Sequence, residues 1–218
     1  DLHLSFRRQR QMCIRDRLQL EQIQWQTDGS ALLRCSDSEE VRILALSVTE
    51  LSLYEGQQLS PDLLEQIQAA GRFREIYKKS LDLLAQREHS IWELRQKLRQ
   101  RFAGFSEVEP VLLQLEEQKF LCDERFSLNF VRSRMANRSW GAYRLRAELQ
   151  QRGIAGQWIE QALASEVDES VLREKAEALV RKSGFPTDPA AKRKLAQKLY
   201  QRGFSQELIN QVLSQDPL

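Results

Sequence analysis

One stretch of this chain is written twice. Arg144–Leu163 reads RLRAELQQRGIAGQWIEQAL, and KLAQKLYQRGFSQELINQVL follows at Lys194–Leu213. Leu145, Leu149, Arg152, Gly153, Ile159 and Leu163 recur as Leu195, Leu199, Arg202, Gly203, Ile209 and Leu213, each at an offset of fifty. A third, more diverged copy spans Glu93–Leu115, where Leu94, Leu98 and Arg101 match Leu145, Leu149 and Arg152 at an offset of 51, with a small insertion before Gly104. Self-similarity at such a period marks stacked supersecondary units, none of which buries its apolar face alone. Each unit reads as a leading helix, a basic second helix, a glycine turn and a third helix, with starts near residues 72, 122 and 168. Gly153 and Gly203 stand where a helix stops in the left-handed conformation, which glycine tolerates best. The next apolar residue (Ile154, Phe204, and Phe105 in the first copy) is expected to fold back on the helix just ended.

The rest of the chain resolves around these units. Helical period predicts helices near 61–70, 72–86, 90–101, 108–118, 123–136, 139–152, 155–165, 168–183, 188–201 and 205–214. Ser60-Pro61-Asp62 is a good start signal, a capping residue followed by proline at the first helical position. Only the segment before it resists a helical reading. LQLEQIQWQ alternates with period two, Asp28-Gly29 is a hairpin signal, and ALLRC and VRILAL supply returning strands. A β element that small does not stand alone and is expected to pack on a helix. SVTELSLYEGQQL reads as one short helix or turn closed by Gly56. The organisation expected is therefore a disordered or non-native leader over 1–17, a β element over 18–60, a linking helix and first repeat over 61–121, and further repeats over 122–167 and 168–218. The alternative for 1–17 is a basic arm gripping nucleic acid. The fold class is mainly α, with tandem three-helix repeats and a small N-terminal antiparallel β element.

Chemistry is sought and mostly not found. His3 and His89 are the only histidines, and neither neighbours a cysteine or the other histidine in sequence, so no metal spacing appears. No phosphate-binding glycine loop, nucleophile elbow or dinucleotide fingerprint is present. No catalytic residue, metal or cofactor is expected. Three scattered cysteines read as reduced thiols of a cytoplasmic protein. No apolar run approaches the roughly 18 residues that span a bilayer. The net charge of +2 argues against a general sink for polyanions, so any contact with nucleic acid depends on where the charges stand.

Their placement is polar. Arg132–Arg152 carries Arg132, Arg134, Arg138, Arg144, Arg146 and Arg152 against Glu148 alone, and Lys192–Arg202 carries Lys192, Arg193, Lys194, Lys198 and Arg202 with no acid. The segments after the first two glycine turns reverse the sign, with Glu107, Glu109, Glu116 and Glu117, then Glu160, Glu166, Asp168 and Glu169. If the units stack in register, basic helices line one side and acidic helices the other. Arg101, Arg152 and Arg202 sit at helix ends, where a cation meets the negative end of the dipole for roughly 0.3–1 kcal/mol, so capping explains them as well as binding does. It does not explain Arg132, Arg134, Arg138, Arg144 and Arg146, or Lys192, Arg193 and Lys194, and these are the candidates for an anionic partner. Phe126 and Phe130, at i and i+4, read as core, as does Trp158. Trp140 and Tyr143 stand beside the arginines and read as core or as stacking groups. A helix-turn-helix reader of DNA is disfavoured: the helices that would enter the major groove are GQWIEQALASE and SQELINQVLSQ, which are partly acidic.

Several of these residues together resemble a known family. REHSIWELRQKL, then VLLQLEEQKFLCDERFSLNFVRSR and GAYRLRAELQQRGI, are similar to the RecX regulatory proteins, modulators of the RecA recombinase. The matching positions are Arg87, Ser90, Glu93 and Leu94; Leu115–Glu117; Asp123–Phe126; Phe130, Val131, Ser133 and Arg134; and Glu148, Leu149 and Gly153. The likeness covers 72–217 well and 18–60 weakly, and departs at Cys122, where the family commonly carries an acid. What the resemblance implies is an elongated, curved array of three three-helix repeats. It implies a protein that lies in the groove of the RecA–single-stranded-DNA filament, where it caps filament growth or promotes disassembly and suppresses ATP hydrolysis, strand exchange and co-protease function. The chain is expected to act as a monomer and to meet single-stranded DNA through the filament. No catalytic residue is implied. Two other readings stay open on the residues themselves: a DNA-binding module acting without RecA, and a helical scaffold for some other protein.

Overall fold

The computed structural model describes residues 18–186 and 188–214, and the leader expected over 1–17 lies outside the described residues. Among the described residues there are three strands and ten helices. Strands β1 (Leu20–Trp25), β2 (Ser30–Cys35) and β3 (Glu40–Leu44) form an antiparallel sheet in the order β1-β2-β3. Trp25 pairs with Ala31 and Ala31 with Ile43, so Ala31, Leu33, Cys35 and Ile43 share a buried face. The hairpin turns through Gly29 at φ 74°, and the Asp28 carboxylate accepts from the Ser30 amide at 3.1 Å.

The helices are α1 (Ala45–Glu50), α2 (Pro61–Gln86), α3 (Ile91–Arg101), α4 (Val108–Glu117), α5 (Asp123–Asn137), α6 (Ala142–Gln150), α7 (Gly156–Glu166), α8 (Glu169–Ser183), α9 (Pro189–Gln201) and α10 (Gln206–Ser214). The described residues form two compact units, one of residues 18–87 with 97–115 and the other of residues 88–96 with those from 116 onward, so α3 contributes to both.

In the first unit the sheet packs on α2, and Leu20, Leu33 and Ile43 share a core with Leu64 and Ile67. Full burial of such a side chain stabilises by about 1.5–3 kcal/mol. Two helices predicted at 61–70 and 72–86 are one helix here. Gly71 does not break it: a Cβ at that position would stand 2.9 Å from Val41 Cγ1, so the glycine lets β3 lie close against the helix. Arg74 ties the same helix to the hairpin, donating to Asp28 at 2.9 Å. Phe105 also differs from expectation. Phe102 is the buried aromatic, while Phe105 stays 39% exposed and stacks on the Phe102 ring at 6.0 Å. The insertion before Gly104 gives the inward position to Phe102 and carries Phe105 past it.

The second unit holds two successive cores. Phe126 and Val131 of α5, Leu145 and Leu149 of α6, Ile154, and Ile159 and Leu163 of α7 form one. Ala176 and Val180 of α8, Leu195 and Leu199 of α9, Phe204, and Ile209 and Val212 of α10 form the next. The recurring leucines of the sequence therefore fill equivalent places. Ile154 donates its amide to Leu149 at 3.2 Å and Phe204 donates to Leu199 at 3.3 Å, while Gly153 and Gly203 donate to Gln150 and Tyr200. These are Schellman turns, with the glycines at φ 73° and 86°. Caps begin the third repeat: Asp168 accepts from the Ser170 amide at 2.7 Å, and Asp188 accepts from Ala190 and Ala191 at 2.8 Å.

Candidate partner-binding surface

The basic second helices are held in place by joints between repeats. Each joint sets the glycine turn of one repeat against the start of the preceding repeat's second helix. At the first, the Ser90 hydroxyl donates to the Arg152 carbonyl at 2.7 Å and accepts from the Glu93 amide at 3.0 Å. At the second, the Gly141 amide donates to the Arg202 carbonyl at 2.8 Å and Tyr143 donates to the Gly203 carbonyl at 3.1 Å. Backbones approach closely at both. A Cβ on Gly153 would lie 2.5 Å from Trp92 Cβ, and one on Gly203 would lie 2.2 Å from the Arg144 nitrogen. Helix-end carbonyls that water would otherwise satisfy thus gain partners from the neighbouring repeat. Asp123 at the start of α5 adds to the first joint by accepting from the Ile91 amide at 2.9 Å, and burial pushes its carboxyl above the usual range.

Arg132 and Arg146 are engaged with acids. Arg132 donates to both oxygens of Glu166 at 3.0 and 2.7 Å, and Arg146 to both oxygens of Glu160 at 2.9 and 2.7 Å. These bonds hold the Glu160 and Glu166 carboxyls below their ordinary range. In this repeat the two signs are interleaved across neighbouring helices, and the separation onto opposite sides expected from the sequence does not occur. The physical reason is reach: fork-shaped guanidinium groups on α5 and α6 meet carboxylates on α7 bidentately. Arg152 belongs to the joint. It lies 2.8 Å from Glu148 and 3.4 Å from Glu93.

Arg134 and Arg144 serve a different arrangement, which sequence reasoning missed. The Arg134 guanidinium lies 4.8 Å from the Phe130 ring and 5.4 Å from Trp140. Arg144 covers Trp140 at 4.3 Å, and Arg152 covers Phe130 at 4.8 Å. The order Arg152, Phe130, Arg134, Trp140, Arg144 makes a ladder of alternating cations and rings, each contact worth roughly 0.5–2 kcal/mol. Arg134 Nε is buried without a hydrogen-bond acceptor. Spacing held one hint, since Phe126, Phe130 and Arg134 recur every fourth residue along one face of α5. Trp140 joins from the segment between helices, where no periodicity operates. Tyr143, three residues further on, is 59% exposed.

Four of the sequence candidates remain outward and unengaged by acids. Arg138 ends α5 and is exposed; Lys192, Arg193 and Lys194 are exposed on α9. None of the four forms an ion pair among the described residues. The three on α9 follow the first turn of their helix, so the favourable dipole interaction of a helix C-terminus does not account for them. The structure brings Arg132, Arg134, Arg144, Arg146 and Arg152 together around α5 and α6, while Lys192, Arg193 and Lys194 stand in the next repeat. Among the described residues no group of three or more His, Cys, Asp or Glu is placed to hold a metal ion, and no helix is long and apolar enough to cross a membrane. Cys35 and Cys122 are free thiols.

Comparisons with known proteins agree on one family. A model described as the second three-helix domain of RecX matches residues 123–163, and one described as its third three-helix domain matches 167–213. A regulatory protein RecX of Pseudomonas entomophila (strain L48) is 39% identical over 140 residues, which are 64% of this chain and 90% of that protein. Another, of Geobacillus kaustophilus (strain HTA426), is 30% identical over 190 residues, or 86% of this chain and 68% of that protein. In fold, a crystal structure of regulatory protein RecX superposes with a TM-score of 0.79 at 21% identity, covering 91% of this chain and all of that one.

Proposed function

The chain belongs to the RecX family of regulatory proteins, and from that premise we propose that it binds the filament RecA forms on single-stranded DNA and limits its extension, ATP hydrolysis and strand exchange. It does so without catalysis of its own, as a cytoplasmic monomer, and meets the DNA chiefly through the filament. The reading is carried by one observation: Lys192, Arg193 and Lys194 stand exposed and without acidic partners among the described residues, on a helix whose packing needs none of them. Cations left over after internal pairing are the ones available to phosphate or to acidic protein surface.

Arg132, Arg134, Arg138, Arg144, Arg146 and Arg152 continue this surface in the preceding repeat. All but the exposed Arg138 act from fixed positions there, because acids, rings and the joint hold them. Preorganised guanidinium groups lose less freedom on binding than mobile ones. Neighbouring repeats presenting cations to neighbouring subunits of a filament would add weak contacts by effective concentration.

The test is single-stranded-DNA-stimulated ATP hydrolysis by RecA, measured while this protein is titrated from the level of filament ends to that of filament subunits. Inhibition in the wild type, relieved by replacing Lys192, Arg193 and Lys194 with glutamate, is the expected result. No inhibition across the whole titration rules the reading out. Salt-sensitive DNA binding without inhibition would instead mark a DNA-binding module acting alone.

A further inference from the structure

A cavity of 350 Å³ lies between the end of α8 and the face of α9. Its apolar part is Phe185, Pro186 and Leu195; its polar part is Ser183, Lys194 and Lys198. That volume falls in the roughly 300–1,000 Å³ range of small-ligand pockets. Among the described residues no acid lines it, and Lys192 and Arg193 stand beside it in sequence. Lys198 donates to Ser183 Oγ at 3.0 Å, which fixes one ammonium at the rim. Lys194 and Lys198, four residues apart, share that side of the helix.

Phe185 separates this place from the arginine ladder. In the ladder, Phe130 and Trp140 each carry guanidinium groups on their rings, so their faces are taken. Phe185 is 37% exposed, and among the described residues neither an aromatic ring nor a guanidinium stacks on it. An open aromatic face beside two lysines offers what a single nucleotide needs: a π-surface for the base and positive charge for the phosphate.

From this juxtaposition we infer that the α8–α9 cavity is a nucleotide subsite for single-stranded nucleic acid, with a base stacked on Phe185 and the adjoining phosphate held by Lys194 and Lys198. This deepens the filament reading, because it names the part of the DNA strand that the third repeat grips. Recognition is indifferent to sequence, since every base has a π-face and no fixed donor or acceptor pair reads its edge. The sign of the site is cationic throughout, so it excludes acidic peptides less by charge than by the stacking requirement. That difference makes the base, and not the phosphate, the decisive element to test.

The experiment is fluorescence anisotropy of labelled oligo-dT with the full chain and no recombinase, beside an abasic strand of equal length. Phe185→Ala is expected to weaken oligo-dT binding by about 5- to 100-fold, the change that base stacking on an aromatic supplies, with the salt slope unaltered. Its binding of the abasic strand should match that of the wild type. Lys194→Gln with Lys198→Gln should lower the salt slope by roughly 0.7 for each charge removed. Phe185→Trp should restore affinity, and its added fluorescence should be quenched by the oligonucleotide, a readout that a merely structural role would not move. Equal binding of oligo-dT by Phe185→Ala and wild type, equal binding of the abasic and normal strands by the wild type, or no binding by the wild type overturns the subsite. RecA ATP hydrolysis measured in parallel keeps the two proposals apart: inhibition that survives with any of those outcomes leaves the filament reading standing.

Discussion

Gly153 lies so close to Trp92 that a Cβ at position 153 would stand 2.5 Å from the tryptophan's own Cβ. The same crowding recurs one repeat later between Gly203 and Arg144. The first repeat has a glycine of the same backbone conformation, Gly104 at φ 86°, with open space where its side chain would be. These glycines therefore answer two different demands, turn geometry at all three and close approach at two.

Substitution separates the demands. Gly104→Ala carries only the left-handed penalty and should cost about 1–2 kcal/mol. Gly153→Ala and Gly203→Ala must also displace a neighbouring repeat and should cost more, roughly 3 kcal/mol or above. Urea denaturation of the three variants checks the order; equal costs would show that the joints yield freely.

The first joint should also respond to pH. Burial raises the Asp123 carboxyl above its ordinary value of 3.8, so the folded chain holds that proton more tightly than the unfolded chain does. The stability linked to it is present below the ordinary value and is lost as pH rises through the folded value. Asp123→Asn keeps an acceptor for the Ile91 amide and removes the charge. Its stability relative to wild type should improve between about pH 4 and pH 7. Asp123→Ala leaves the amide unpaired and should cost about 1–3 kcal/mol at neutral pH. Denaturation midpoints at both pH values decide, and a difference between Asp123→Asn and wild type that is flat with pH would contradict the assignment.

Releasing the paired arginines tests whether the second repeat meets an anion. Glu160→Gln and Glu166→Gln leave Arg146 and Arg132 without their bidentate partners. If the freed groups then reach single-stranded DNA, the salt slope of binding should steepen by roughly 0.7 for each. An unchanged slope would confine these arginines to the fold.

The ladder predicts a distinction between two cations. Arg134→Lys keeps the charge but loses the flat guanidinium between Phe130 and Trp140, and an ammonium brings a more strongly hydrated group to a half-buried place. A loss of about 1–2 kcal/mol in thermal or chemical unfolding is expected. A lysine variant as stable as wild type would show that the stacking contributes nothing.

Much of this molecule was legible in its sequence. The helices of the second and third repeats follow from leucine spacing, glycine stops and the capping residues Asp168 and Asp188, all of them local signals. The hairpin at Asp28-Gly29 follows from turn chemistry of the same short range. Gly71 was misleading because its low helix propensity is local, whereas the packing of Val41 against it comes from a strand about thirty residues earlier. The charges were misleading in the same way. Counting them along helices correctly finds the excess, but pairing depends on which helix lies beside which.

What the sequence by itself determined is the repeat: its period, its helices, the residues that fill each core, and the family they resemble. These depend on side chains at fixed separations along one chain, and fixed separations survive in a linear text. Tertiary structure alone decided which cations are spent on Glu160 and Glu166, which are stacked in the ladder, and which on α9 keep no acidic partner among the described residues. It also decided that Gly153 and Gly203 serve as contact points between repeats. Those outcomes turn on distances of a few ångströms between residues far apart in the chain, set only when the helices have packed.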